Sequence, residues 1–181
     1  MSLQTRIGLC LVLATSSALA VENVHTVAEG LLYRGARAES YEDFKRMIYE
    51  HDIGRIVNVE NDQRSVDRER GWLDRLWRED HRRVDHDWKP IEHRGFQNEH
   101  YVNDVLNSTE DTKNGAVWLH CKRGRDRTGY LAALYRVTVQ NWNKADARHE
   151  WHDAKFNGGR TNNLRFRELE NHFTYASRNH K

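Results

Sequence analysis

An α/β fold is what this sequence predicts: a small central, mostly parallel sheet flanked by helices, with a glycine-containing loop between one strand and the next helix. Three observations predict it. Short β-branched or aliphatic runs alternate with longer stretches of helical apolar spacing. The 181 residues suit one compact domain with a real core. No Pro/Gly/Ser-rich linker, low-complexity stretch or internal repeat divides them.

The elements follow in order. Leu31-Leu32-Tyr33 is a short apolar run ending at Arg34-Gly35, read as a strand and a turn. Tyr41, Phe44, Met47 and Ile48 keep helical spacing from Tyr41 to His51, and Gly54 breaks that helix. Arg55-Ile-Val-Asn-Val59 is rich in β-branched residues and reads as a buried strand. Val66 to Asp80 is helical, with Trp72, Leu73, Leu76 and Trp77 on one face. Arg83-Val-Asp-His86 is a short strand entering a loop that holds Pro90, the only proline. A helix over Phe96 to Leu106 precedes the buried strand Ala116-Val-Trp-Leu119. Thr128 to Gln140 is a helix turning Leu131, Leu134, Tyr135 and Val139 inward, and helices over Lys144–Lys155 and Asn162–Phe173 close the chain.

The first twenty residues read differently. Arg6 supplies a positive start, Ile7 to Ala14 an apolar run, and Ala18-Leu19-Ala20 a small-residue cleavage site, the pattern of a secretory signal peptide. The run is too short to span a bilayer, so no membrane span is expected. Residues 21–181 then form a single domain, exported to the periplasm or secreted. No lipobox precedes Cys10, which leaves with the signal, so Cys121 remains as the lone thiol and has no internal disulfide partner. The formal net charge of +2 lacks the basic excess of a nucleic-acid binder, so anionic partners must be drawn by a local patch.

That patch surrounds Cys121. The segment His120-Cys-Lys-Arg-Gly-Arg-Asp-Arg-Thr-Gly129 joins the strand ending at Leu119 to the helix starting near Thr128. A strand–loop–helix unit of this kind points backbone N–H groups and the positive helix end into one concavity, which suits a phosphate dianion. The phosphate-binding residues are then Lys122, Arg123, Gly124, Arg125, Asp126 and Arg127. A thiol in that field is stabilised as thiolate and can attack phosphorus in line, forming a phosphocysteine that water later hydrolyses. Arg127 offers a planar fork for two phosphoryl oxygens, and its charge at a helix start, opposed by the dipole, makes sense with an anion present. Thr128 can give its hydroxyl to the sulfur, and His120 is a structural member orienting the loop.

These residues carry a resemblance. His-Cys-x5-Arg-Thr-Gly, formed by His120, Cys121, Arg127, Thr128 and Gly129, resembles the signature of the protein tyrosine phosphatase superfamily. Tyr33-Arg-Gly35, Ile56-Val-Asn58 and Ala133-Leu-Tyr-Arg136 are similar to the small bacterial and atypical dual-specificity phosphatases. The resemblance implies a phosphatase-like phosphate loop and a cysteine-dependent phosphomonoesterase of the tyrosine or dual-specificity class, and Asn58 would brace the loop from a neighbouring strand. No cofactor is called for.

The leaving oxygen needs a general acid, and the resemblance implies a carboxylate on a separate loop. Asp85-His86-x-Trp88 resembles the acid loop of the phosphatase-like phytases, Asp-His-x-Trp-Pro, with Lys89 interrupting the pattern before Pro90. Asp85 is the favoured acid, Asp87 an alternative. Asp126 is a third candidate, since myotubularin-like lipid phosphatases carry an Asp at the matching position. Lys122, Arg123 and Arg125 make the loop unusually basic, with Lys89 facing it, and His-Cys-Lys-Arg-Gly is similar to the plant and fungal atypical phosphatases. The substrate is then a phosphorylated protein or, as an alternative, an inositol polyphosphate or phosphoinositide; a non-catalytic phosphate-binding module is disfavoured because both Cys121 and Arg127 are present. His81, His86, His93, His100 and His149-Glu-Trp-His152 lack a completing ligand set, so no metal is expected.

Overall fold

The computed structural model describes residues 21–92, 98–153 and 169–174. The expected signal peptide and His93 lie outside them. The strands are β1 (His25–Ala28), β2 (Leu32–Ala36), β3 (Ile53–Asn58), β4 (Asp85–Trp88) and β5 (Ala116–Cys121). The helices are α1 (Tyr41–Glu50), α2 (Gln63–Asp80), α3 (Glu99–Glu110), α4 (Asp126–Thr138) and α5 (Lys144–Asp153). One sheet runs β1-β2-β5-β3-β4. Only the β1–β2 pair is antiparallel; β2, β5, β3 and β4 run parallel, so the mostly parallel sheet is observed.

Strand β5 lies in the middle of this sheet and is buried at every position, as a strand covered on both faces must be. Its alternation sorts the two cores. Val117, Leu119 and Cys121 join the cluster formed with α3, α4 and α5. Ala116 and Trp118 join Ile53, Ile56, Leu76 and the apolar side of α1, Phe44, Met47 and Ile48 among it, on the opposite face. The two-residue period therefore turns Cys121 and His120 to opposite faces of the sheet.

Four expectations change in the folded chain; one is Val139, expected to face inward, which caps the end of α4 and is exposed. Arg34 and Gly35 continue β2 instead of forming a turn, because β2 pairs along its whole length with β5, Gly35 opposite His120. The first helix ends at Glu50 and His51, and the left-handed turn is made by Asp52 (φ +47°), whereas Gly54 lies inside β3. What glycine supplies there is space: a Cβ would come 2.1 Å from the Asn114 carbonyl oxygen. On α2, Leu76 is fully buried but Trp77 is 52% exposed; Val66 and Glu69 complete the inner face. Strand β1, short and half polar, had no sequence signal; Arg136 of α4 ties its edge by donating to the Val27 carbonyl.

Candidate active site

Cys121 ends the central strand at the C-terminal edge of the parallel sheet, where α/β folds bind ligands. Its residue is 3% exposed and its carbonyl accepts the Arg37 N–H at 2.9 Å. The chain then turns through Gly124, at φ +63°, so close to β2 that a Cβ would stand 2.3 Å from the Gly35 carbonyl carbon and 2.4 Å from the Ala36 nitrogen. Only glycine satisfies both the left-handed backbone and this contact. Arg34, 2% exposed, fastens the same turn by donating to the Gly124 carbonyl at 2.9 Å. Burial lowers that guanidinium to about 10, still charged at neutral pH, and it interacts electrostatically with Cys121.

Helix α4 starts at Asp126, directly after the loop. Asp62, Ser40 and Asn98 cap α2, α1 and α3 with side-chain acceptors, whereas α4 receives no side-chain cap from Arg125. Its first N–H donors thus open into the loop, beside the thiol, and their positive dipole end favours an anion there. Arg127 is 6% exposed and steadied by one bond, from Nη1 to the Val59 carbonyl at 3.2 Å, while its Nε has no protein partner among the described residues. The Thr128 hydroxyl is likewise fully buried without a protein partner among the described residues. These are donors available to a phosphoryl group and to sulfur. Arg125 and Asp126 are half-buried; Lys122 and Arg123 are exposed, and Asn23 donates to the Arg123 carbonyl at 2.7 Å. Lys89 does not face the loop freely, since its ammonium pairs with Asp104.

On the other face, beneath the strand end, lies a buried polar cluster. Glu69 of α2 accepts from Asn58 Nδ2 at 2.7 Å and lies 3.1 Å from both His86 Nε2 and His120 Nε2. Burial pushes its carboxyl up, but the imidazoles, His120 first, outweigh this and hold it well below the usual carboxylate range. Asn58 therefore serves the loop differently from what was expected: its amide donates to Glu69 and its oxygen accepts the Glu60 N–H at 2.8 Å. His120 is packed on Trp118 with ring centroids 4.6 Å apart, and its carbonyl takes the Val59 N–H.

Asp85 and Asp87 are not brought to the loop. Both carboxylates hold Arg55, at 3.2 and 2.7 Å, and Asp85 also accepts from Asn114. Asp85 is in register with Arg55, and Arg55 with Val117, four residues before Cys121 on its strand. At about 3.3 Å per residue that is ~13 Å down the sheet from the thiol. At the C-terminal edge of the sheet, where Glu60 and Asp126 also lie, Glu92 follows the end of β4. Ile91 N–H donates to the Val59 carbonyl, the same oxygen that steadies Arg127, and Asn61 holds Glu92 Oε1 at 2.6 Å. Arg34 stood in the Tyr33-Arg-Gly35 motif without a role assigned to it, and Glu92 stood in no motif. Glu69 had one faint signal, a charge set on the apolar stripe of Val66, Leu73 and Leu76.

Comparison with known proteins agrees with this geometry. A family model described as "Tyrosine phosphatase family" matches residues 22–179. The dual specificity protein phosphatase TpbA of Pseudomonas aeruginosa is 46% identical over 44 residues, 24% of this chain and 20% of the relative. The matched stretch thus spans about a fifth of that curated relative's length. The crystal structure of P. aeruginosa TpbA superposes with a TM-score of 0.65 at 25% identity, covering 85% of this chain and 84% of that one. The core catalytic domain of the PP-IP phosphatase SIW14 from S. cerevisiae shares the fold, with a TM-score of 0.64 at 20% identity over 88% and 93% of the two chains. So does PTPMT1 in complex with PI(5)P, with a TM-score of 0.60 at 14% identity over 87% and 99%.

The Gly124 contact predicts a specific failure. Gly124→Ala should force the loop from β2, destabilising the protein by about 2 kcal/mol or more in urea unfolding and weakening tungstate binding at least ~10-fold by calorimetry. Unchanged tungstate affinity would show that the loop does not depend on this approach.

Proposed function

We propose that this chain, which belongs to the tyrosine phosphatase family, is a cysteine-dependent phosphomonoesterase that acts on phosphorylated protein through a phosphocysteine intermediate. The observation that carries the reading is the meeting of three features at one point. They are a buried thiol at the end of the central strand, a loop clamped by Gly124 and Arg34, and the uncapped start of α4 with the unpartnered Arg127 Nε.

The chemistry follows from that arrangement. Loop N–H groups and the Arg127 fork hold three phosphoryl oxygens and leave phosphorus open to sulfur. The Cys121 thiolate attacks in line, so the P–S bond forms as the bond to the leaving oxygen breaks on the opposite side, facing out of the cradle. Water then displaces sulfur, and the Thr128 hydroxyl stabilises the departing thiolate. An acid for the leaving oxygen must reach it from outside the cradle. Asp126 belongs to the cradle itself, and Asp85 is engaged with Arg55. Glu92, past the end of β4, stands at the edge from which the leaving oxygen is reached, and we assign the acid role to it.

A second substrate class has its own support. Lys122 and Arg123 are exposed on the loop directly after Cys121, the arrangement that an additional phosphate would use. An inositol polyphosphate would take those cations as contacts, whereas a phosphotyrosine side chain needs only the cradle. Residues 1–20 support export to the periplasm or beyond by their three-part signal pattern. Among the described residues no helix is long and apolar enough to cross a membrane.

Three measurements test these readings. Phosphate release from a phosphotyrosine peptide should exceed release from inositol hexakisphosphate and vanish in Cys121→Ser. Preference for the inositol phosphate, lost in Lys122→Ala/Arg123→Ala, would reassign the substrate, and activity surviving Cys121→Ser would sink the mechanism. Glu92→Gln should lower kcat by ~10²–10³ for a phenyl-type leaving group and much less for a nitrophenyl one. If Asp85→Asn produces that pattern instead, the acid role returns to Asp85. N-terminal sequencing of protein recovered outside the cytosol should begin near Val21; an intact Met1 there, or retention in the cytosol, would overturn export.

A further inference from the structure

The residues ahead of β1, Val21 to Val24, run along the end of β2 and reach the loop that follows Cys121. Val21 is 4% exposed and belongs to the core formed with Tyr33, Ala38 and Trp118. The Glu22 carbonyl accepts the Ala36 N–H at 2.8 Å. Val24 lies close over Gly35, where a Cβ would stand 3.3 Å from Val24 Cγ2. A short segment outside the sheet is ordered only where it is tied down, and these contacts tie it on both sides of Asn23. From that fixed position the Asn23 side chain leaves the segment and donates to the Arg123 carbonyl at 2.7 Å, 100 residues away in the chain.

Two demands meet at Asn23. Its φ of +54° is a left-handed conformation that asparagine tolerates better than most side chains do. Its amide also supplies an N–H donor, which glycine and an ionised aspartate lack. What the bond controls follows from peptide geometry. A trans peptide is planar, with its N–H opposite its C=O, and among the described residues no peptide is cis. Holding the Arg123 carbonyl therefore fixes the direction of the Gly124 N–H. Arg34, by holding the Gly124 carbonyl at 2.9 Å, fixes that of the Arg125 N–H. With Gly124 at φ +63° between them, two successive N–H groups can converge on one anion.

We propose that Asn23 is a positioning residue for the phosphoryl group: it holds the Arg123–Gly124 peptide so that the Gly124 N–H points into the cradle. It acts through the loop and does not touch substrate. The bond itself is exposed, so its effect comes from the placement that Val21 and Glu22 impose and not from burial. The proposal rests on the loop being the phosphoryl cradle of a Cys121-dependent phosphatase.

Asn23→Gly keeps the left-handed backbone and removes the donor, whereas Asn23→Ala removes the donor and strains the backbone. Both are expected to weaken tungstate binding about 5–10-fold by calorimetry and to lower kcat/KM for a phosphotyrosine peptide in proportion. Only Asn23→Ala should also lose stability in urea. Tungstate affinity equal to wild type in Asn23→Gly overturns the proposal and leaves Asn23 as a backbone turn only. Amide NMR supplies a readout that stability alone would not move: the Gly124 N–H resonance should shift when tungstate is added to wild-type protein, and shift less in Asn23→Gly. If neither variant folds, the wild-type spectrum decides. A Gly124 resonance that stays put while other loop amides respond overturns the proposal, and one that moves with them supports it. Wild-type protein that binds no tungstate, or activity that survives Cys121→Ser, would sink the cradle reading and the proposal with it, an outcome distinct from unchanged affinity in Asn23→Gly.

Discussion

The approach of the Gly124 backbone to Gly35 and Ala36 of β2 governs much of what surrounds the thiol. It brings the loop after β5 back across the neighbouring strand, where Arg34 reaches the Gly124 carbonyl. With the loop folded down in this way, α4 begins immediately beyond it and its uncapped N-terminus opens beside Cys121. Burial of α4 from Arg127 to Val137 then anchors the dipole rigidly, so the field at the thiol is built into the core and does not depend on a surface loop.

The buried Arg34 guanidinium is favoured by the charge of Glu150, and a separate set of charges lies on the opposite face of the sheet. Arg34 and Arg127 lie on the loop side, and Glu69 and Glu60 lie behind, each held by hydrogen bonds to neighbouring elements. The Asn58 and His86 bonds to Glu69 tie α2 to β3 and β4, since a slip would leave the buried carboxylate without them. At the far end of the sheet Asp85, Asp87 and Asp111 gather on Arg55. Carboxylate–arginine pairs therefore stand at both ends of one sheet, Asp85, Asp87 and Asp111 on Arg55 and Glu60 on Arg37.

The relatives frame substrate choice without fixing it. Proteins sharing this fold include the dual specificity phosphatase TpbA, a PP-IP phosphatase and one solved with PI(5)P. The exposed cations on the loop after Cys121 are Lys122 and Arg123.

By itself the sequence determined the alternation of strands and helices, the buried strand ending at Cys121, and the loop with Arg127 and Thr128. Each is encoded locally, in apolar period, in β-branched runs, and in a motif whose members are separated by fixed short spacing. What depends on register was not legible. Asp85 resembles an acid because it precedes His86 and Trp88, while in the fold its carboxylate pairs with Arg55, in register four residues before the strand end, and no local pattern records that. Arg34, Glu69 and Glu92 meet partners 90, 51 and 31 residues away in the chain, Gly124, His120 and Asn61 in that order. Those contacts exist only once parallel strands and the helix above them are assembled, because long-range pairing, not local propensity, sets which buried charges face one another.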